Sequence, residues 1–352
     1  MSGTTDGAVS VCIVGAGAAG AGAADALREA DVDVDVTVLE KSRGVCGRAA
    51  TRRRNGCRYD HGANYVKDPD ERTTALVREL GTEGLVDVVE PVWTFDAAGS
   101  VEPGDGRDEH KWTWTAGITQ LAKRLFARTD AEVRTEFRVR SLDRTAAGWT
   151  VASTEGEAAG PFDAVLLTPP APQTAALLAE TAWEDERLPA LREAVGAVSY
   201  RTIRTVVLHY PFEAERPWYA LVDASKEHPV GWLSREECKP GHVPDGESLL
   251  VVQMSPTWSR AHYDDPLAEV APDVADRVAH LVDDDRLREY DWADDQGWRY
   301  ALPEGGAAAD VLRRGEDAGL YFAGDWVVGE GRVHRALWDG HDAGARVAER
   351  FG

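Results

Sequence analysis

Val9-Ser10-Val11-Cys12-Ile13-Val14-Gly15-Ala16-Gly17-Ala18-Ala19-Gly20 carries an apolar run into a glycine turn. A small-residue helix and Val34-Asp35-Val36-Thr37-Val38-Leu39-Glu40 follow. Strand, G-x-G-x-x-G, helix, strand and distal acid stand in the order an adenine dinucleotide site requires. Gly15 makes the tight turn, Gly17 lets the backbone approach a pyrophosphate, and Gly20 lets the helix pack on the strand. Ala16, Ala18 and Ala19 complete the turn, and the helix N-terminus offers free N–H groups and partial positive charge to phosphates. Glu40, twenty positions past Gly20, is placed to accept hydrogen bonds from a ribose diol.

An acid at the second strand fits NAD or FAD and would repel the extra phosphate of NADP. Three features favour FAD. The fingerprint starts near the first residue, and a glycine-basic segment, Lys41-Ser42-Arg43-Gly44-Val45-Cys46-Gly47-Arg48, follows the acid directly. The chain then returns late with Gly319-Leu320-Tyr321-Phe322-Ala323-Gly324-Asp325 and, after Gly329-Glu330-Gly331, a helix from about Val333 to Arg350. A strand ending in Gly324-Asp325 suits a carboxylate at the ribityl or pyrophosphate part of a long cofactor, though an N-cap and turn would read the same. A helix starting near Arg332 and Val333 could aim its positive end at the flavin C2 carbonyl. Arg48 is a candidate for the pyrophosphate.

At these segments the chain resembles the FAD-dependent amine oxidase superfamily. Arg43 to Arg53 is similar to its R-G-x-G-G-R-x-x-T segment, and Tyr59-Asp60-His61-Gly62-Ala63-Asn64-Tyr65 to its D-x-G-A-x-Y segment. Trp298-Arg299-Tyr300 and the late Gly-Asp resemble the renalase branch. Cys46 stands where the family has the first glycine of G-G-R. The resemblance implies an α/β fold with a discontinuous Rossmann-type FAD-binding domain of the p-hydroxybenzoate hydroxylase-like kind (1–75, 130–183 and 315–352). An α+β substrate domain (76–129 and 184–314) would be interleaved with it. Cofactor candidates are Gly15 to Gly20, Glu40, Lys41, Arg43, Gly47, Arg48, His61, Gly62, Ala63, Asn64, Val139, Gly324, Asp325, Arg332 and Val333. His61, Tyr65, Gln253, Trp298 and Arg299 are the candidates for the reaction centre.

The 352 residues carry 61 Asp and Glu against 39 Lys and Arg, a formal charge of −22, and only six of the basic residues are lysine. With 12 Trp and 43% apolar residues, this composition reads as a folded protein from an acidic, halophilic proteome held soluble in high salt, not as disorder. Nucleic acid and anionic membranes would be repelled. The run Arg52-Arg53-Arg54 reads as a solvated or ion-paired hairpin rather than a phosphate site. Cys12, Cys46, Cys57 and Cys238 form no C-x-x-C pair, so neither a redox dithiol nor a metal site is expected. No cysteine follows Cys238 to attach a flavin as the monoamine oxidases do, so FAD is expected to be non-covalent. No signal peptide or membrane span is read, and a cytoplasmic protein is expected.

Between these ends, helices are expected at Asp70–Leu80, Gly117–Arg128, Gln173–Leu178 and Pro266–Val282. Strands are expected at 93–95, 111–115, 133–140, 149–153, 162–167, 204–210, 230–233 and 249–254. No Ser-His-Asp or metal-ligand pattern appears. The resemblance to renalase implies hydride transfer from misreduced dihydro isomers of NAD(P) to the flavin, then to O2 with release of H2O2. An amine oxidase would want a lysine–water pair near the flavin, for which Lys111 or Lys226 is loosely placed. A flavin-dependent isoprenoid desaturase or isomerase would need an apolar tunnel that no stretch supplies. A flavin-binding redox sensor without turnover is the reading from another class.

Overall fold

A computed structural model describes residues 8–105 and 109–352. The chain divides into two compact units: Met1–Arg48, Leu121–Tyr200 and Leu302–Gly352 form one, Ala49–Gln120 and Arg201–Ala301 the other. Residues 49–75, expected with the cofactor-binding domain, thus cluster with the second unit.

The first unit is built on a five-stranded parallel sheet. Its order is Glu132–Arg134, Val34–Leu39, Val9–Val14, Ala164–Leu167, Leu320–Phe322. Alternation along Val9–Val14 decides what covers each face. Cys12 and Val14 join Leu142, Trp149, Val151 and Phe162 in one apolar cluster, so a three-stranded antiparallel meander (Val139–Thr145, Gly148–Ser153, Ala158–Phe162) covers that face. Burial in this cluster pushes the Cys12 thiol well up from its ordinary range. Ile13 points the other way, beneath the helix Ala18–Arg28, where a Cβ on Gly20 would lie 3.3 Å from its Cγ2. That helix packs closely on Val333–Phe351: a Cβ on Gly22 would come 2.2 Å from the Leu337 carbonyl, and one on Gly340 2.0 Å from the Ala19 carbonyl. Small residues are what the contact requires.

Two strands expected as single runs are divided. Residues 133–140 supply the end of Glu132–Arg134 in the parallel sheet and the start of Val139–Thr145 in the meander. The chain turns between them at Glu136, whose φ is +61°. Residues 162–167 likewise split around Asp163, between the meander strand ending at Phe162 and the parallel strand Ala164–Leu167.

The second unit holds a seven-stranded sheet in the order Trp292–Pro303, Tyr200–Tyr210, Ser248–Met254, Val230–Arg235, Ala220–Asp223, Val92–Phe95, Val101–Glu102. Val206, Leu208, Leu250 and Val252 face the helix Leu267–Leu281 through Val270, Val274 and Val278. Val207, Leu249 and Val251 face the opposite way, onto Cys57 and Tyr59 of the hairpin Thr51–Arg54/Cys57–Asp60. The hairpin's arginines are partnered as the sequence suggests: Arg52 binds Asp294 and Gln296, and Arg54 the Ala293 carbonyl. Among the described residues no helix is long and apolar enough to cross a membrane.

Candidate active site

The glycine turn leads directly from Val9–Val14 into Ala18–Arg28. Gly15 adopts φ +101°, a region only glycine enters freely. The helix begins at Gly17 with no side-chain cap, so its first N–H groups are left for another partner. A Cβ on Gly17 would meet nothing within 4 Å, whereas one on Gly20 would lie 2.0 Å from the Gly15 carbonyl. Open space over Gly17 and an uncapped helix start fit the pyrophosphate of a dinucleotide.

The segments expected to flank that turn are brought to it. Glu40 accepts from the Ala16 N–H at 2.8 Å and the Ser42 N–H at 2.8 Å; its remaining lone pairs suit a diol. The Cys46 N–H donates to the Ala16 carbonyl at 2.8 Å, and Cys46 takes φ +81°, the conformation a glycine would occupy. Non-glycine residues pay about 1–2 kcal/mol there. Gly47 follows at φ +59° and comes within 3.4 Å of the Gly17 Cα if given a Cβ. Arg48, expected on the pyrophosphate, is paired here with Asp325 at 2.7 Å. Gly324, at φ +144°, donates its N–H to Asp339 Oδ2 at 2.7 Å. Burial raises the Asp339 carboxyl to about 6, although the Gly324 N–H favours its charged form.

Lys41 binds Gln173 at 2.9 Å, and Arg43 is exposed. Val139 packs against the apolar cluster under the meander. Arg332 caps Val333–Phe351, exposed, with its guanidinium on the Gly331 carbonyl.

In the second unit, residues 61–64 form a loop clamped from several sides. The His61 N–H donates to the Ala50 carbonyl at 3.1 Å, and Asn64 Nδ2 to the Asp60 carbonyl at 2.8 Å. Gln253 Nε2 donates to the Gly62 carbonyl at 2.6 Å and Trp298 Nε1 to the His61 carbonyl at 3.1 Å. The Trp298 ring lies over His61, centroids 5.5 Å apart. His61 is 5% exposed. Burial, helped by the Arg52 charge, lowers it to about 4, so the ring is neutral at ordinary pH. Its Nδ1 has no hydrogen-bond partner among the described residues.

Tyr65 stands beside Tyr219 at 6.2 Å and Trp232 at 6.3 Å, between ring centroids. The Tyr219 hydroxyl and the Trp232 indole N–H are buried without partners among the described residues. Trp232 pairs directly with Gln253, and Gln253 with Thr205, so the three share one face of the sheet. Arg299 does not join this group: it alternates away from Trp298, is exposed, and stacks on Tyr263 at 4.4 Å. Strand alternation places it there.

Below the loop lies a buried charge network that the sequence does not reveal. Lys239 Nζ is 3.0 Å from Asp60 Oδ2 and 2.7 Å from Glu236 Oε1, all three side chains fully buried. His242 places Nδ1 on Glu236 Oε2 at 2.8 Å and Nε2 on the Trp114 carbonyl at 2.9 Å. Asp60 also accepts from Thr51, Thr113 and the Ile118 N–H. Burial alone would raise the Asp60 carboxyl, but Lys239, His242 and these donors hold it below its ordinary value. Only Asp60 of this set lies in a recognisable motif, which is the one signal that could have led to it.

Residues 13–80 match the NAD(P)-binding Rossmann-like domain and residues 94–348 the flavin containing amine oxidoreductase family. Three solved structures share the fold at low identity. A protein described as a protoporphyrinogen oxidase from Exiguobacterium sp. 255-15 is 15% identical with a TM-score of 0.76, over 98% of this chain and 99% of its own. Cyclohexylamine oxidase from Brevibacterium oxydans IH-35A is 15% identical, TM-score 0.74, over 98% and 99%. Putrescine oxidase bound to putrescine is 14% identical, TM-score 0.71, over 98% and 99%. With the glycine cradle, the matched segments show the Rossmann-type fold and a flavin-dependent oxidoreductase acting on small molecules: the chain belongs to the flavin containing amine oxidoreductase family.

Proposed function

We propose that the protein holds FAD non-covalently and oxidises misreduced dihydro isomers of NAD(P) to NAD(P)+, with O2 as acceptor and H2O2 as product. When bound, FAD supplies a two-electron acceptor that takes hydride and is reoxidised by O2. Gly17 and the start of Ala18–Arg28 would hold the pyrophosphate, Glu40 the ribose, and Arg48 with Asp325 the middle of the cofactor. A neutral His61, steadied by Trp298 and Gln253, orients substrate without adding charge to a centre that loses hydride.

The observation that carries this reading is where the six lysines lie. Lys226 is exposed, and Lys111 sits in a small sheet opposite Lys67. Lys41 and Lys67 have partners in Gln173 and Glu109, and Lys123 is exposed on Gln120–Ala127. Lys239 is fully buried between two carboxylates. Lys239, whose partner Asp60 precedes His61, is already held by two carboxylates and is a poor source of the lysine–water pair that amine oxidation wants, whereas a dihydropyridine needs none.

Amine oxidation is the second reading, favoured by the aromatic group Tyr65, Tyr219 and Trp232, whose faces could receive an ammonium. Anaerobic mixing with dihydro-NAD isomers and, in parallel, with a benzylamine series separates them. Bleaching of the flavin by an isomer, with colour returning in air, is the expected result. Bleaching only by amines moves the assignment to amine oxidation, and a bound flavin that nothing bleaches points to a redox sensor.

A further inference from the structure

Two groups of metal-ligating side chains converge in the unit formed by Ala49–Gln120 and Arg201–Ala301. One is Asp60, Glu236 and His242, where the Lys239 ammonium already supplies the cation. The other is Cys57, His209 and Glu247, with one ligand atom of each within 4.8 Å of the others.

The fold builds this second group from three places. Cys57 opens Cys57–Asp60, His209 lies near the end of Tyr200–Tyr210, and Glu247 immediately precedes Ser248–Met254. Cys57 is 2% and His209 5% exposed. His209 stacks on Trp292 at 5.0 Å with 9° between planes, which fixes the ring. Nε2 lies 2.9 Å from Glu247 Oε2, and Nδ1 lies 3.3 Å from Asp291 Oδ2. A metal-binding histidine typically has a carboxylate on its second nitrogen; here Asp291 stands beside Nδ1 without making a hydrogen bond, a contact that would tighten once an ion holds Nε2. The Glu247 side chain is 34% exposed, giving an ion a route in and a water a place to complete the shell.

We propose that Cys57, His209 and Glu247 form a binding site for a divalent cation of zinc's kind, with Asp291 orienting His209. Thiolate, imidazole and carboxylate together suit zinc or cobalt rather than calcium or magnesium, and three protein ligands leave a fourth position for water. Binding replaces the Cys57 S–H bond by an S–metal bond and releases that proton to solvent. Because the thiol must give up its proton to bind the ion, uptake strengthens as pH rises. His209 lies four residues along its strand from Thr205, the partner of Gln253, a rise of about 13 Å. The proposal is thus independent of which substrate the flavin oxidises.

The test is titration of chelator-treated, flavin-loaded protein with cobalt(II) chloride, with ligand-field bands read at wavelengths longer than the flavin absorbs and the near-ultraviolet charge-transfer band read as a difference spectrum against the cobalt-free, flavin-loaded protein. One equivalent should bind with tetrahedral ligand-field intensity and a thiolate-to-cobalt charge-transfer band, releasing a proton, and zinc should displace it. Cys57→Ser should abolish the charge-transfer band. Asp291→Asn and Glu247→Gln, both on partly exposed side chains that leave the core untouched, should each weaken binding by roughly tenfold or more. Failure to bind one equivalent, or binding unchanged in Cys57→Ser and Glu247→Gln, overturns the proposal.

Discussion

Lys239 Nζ and Asp60 Oδ2 meet at 3.0 Å with both side chains wholly removed from solvent. The pair ties the loop carrying His61 to the segment Glu236–Cys238 and beyond. Glu236 takes the second contact of the ammonium, and His242 the second oxygen of Glu236. A buried charge left without its partner costs about 3–5 kcal/mol, while a neutral replacement of the whole set costs far less. Lys239→Met should therefore lower the unfolding free energy by that amount, read as a lower denaturant midpoint at unchanged m, and adding Glu236→Gln should recover part of it. Equal stability of Lys239→Met and the wild type would refute the role given to this network.

The glycine turn proposed to hold the cofactor is legible in the sequence because its geometry is local. A turn that needs Gly15 at positive φ, and a helix that must start close to a strand at Gly20, leave a pattern readable within a few residues. The Lys239 network leaves none: its members come from separate segments, and Lys239 alone reads like any surface lysine. The strand Trp292–Pro303 was hidden for a related reason. Its Asp294, Asp295, Gln296 and Gly297 look like a loop, yet Asp294 is bound by Arg52 and Tyr59 and Asp295 by Arg204. Partners distant in sequence make those charges compatible with a sheet. A motif names residues without saying which face of the strand each one takes, and Arg299 takes the face opposite Trp298.

Gly17 and Gly20 separate binding from folding. Gly17 has an extended backbone (φ −74°) and room for a side chain. Gly17→Val should leave stability within about 0.5 kcal/mol, yet it fills the space assigned to the pyrophosphate and should yield protein with little flavin. Gly20→Ala forces a Cβ to 2.0 Å from the Gly15 carbonyl and should unfold the first unit. Flavin content and melting temperature, measured together, check both. Full flavin occupancy in Gly17→Val would remove the pyrophosphate from that turn.

Asp339 costs stability at neutral pH. Its carboxyl rises from 3.8 to about 6 through burial, so the folded state resists ionisation that the unfolded chain undergoes freely. The favourable contribution is present below pH 3.8 and is lost as pH rises through about 6. That difference corresponds to about 3 kcal/mol. Asp339→Asn keeps an acceptor for the Gly324 N–H and should gain stability over the wild type across that window, reaching its full gain near pH 7. Urea midpoints at a series of pH values decide it; a difference independent of pH would contradict the assignment.

His61 acts in the opposite sense. Burial first, and Arg52 second, lower it from 6.5 to about 4, so the folded state prefers the neutral ring. This contribution is present above pH 6.5 and is lost as pH falls through about 4, again on the order of 3 kcal/mol. His61→Gln should be least favourable relative to the wild type at neutral pH and should lose that disadvantage on acidification. Between pH 4 and 6 the two residues oppose each other. Wild-type stability should accordingly change less with pH than that of Asp339→Asn, which leaves the His61 slope uncovered, while His61→Gln uncovers the slope of Asp339. The same neutrality has a kinetic consequence. If His61 orients substrate as an uncharged ring, kcat/KM should show no ionisation near 6.5 that disappears in His61→Gln. An ionisation near 6.5 that does disappear would mean the ring is charged during turnover and that its burial is relieved when substrate binds.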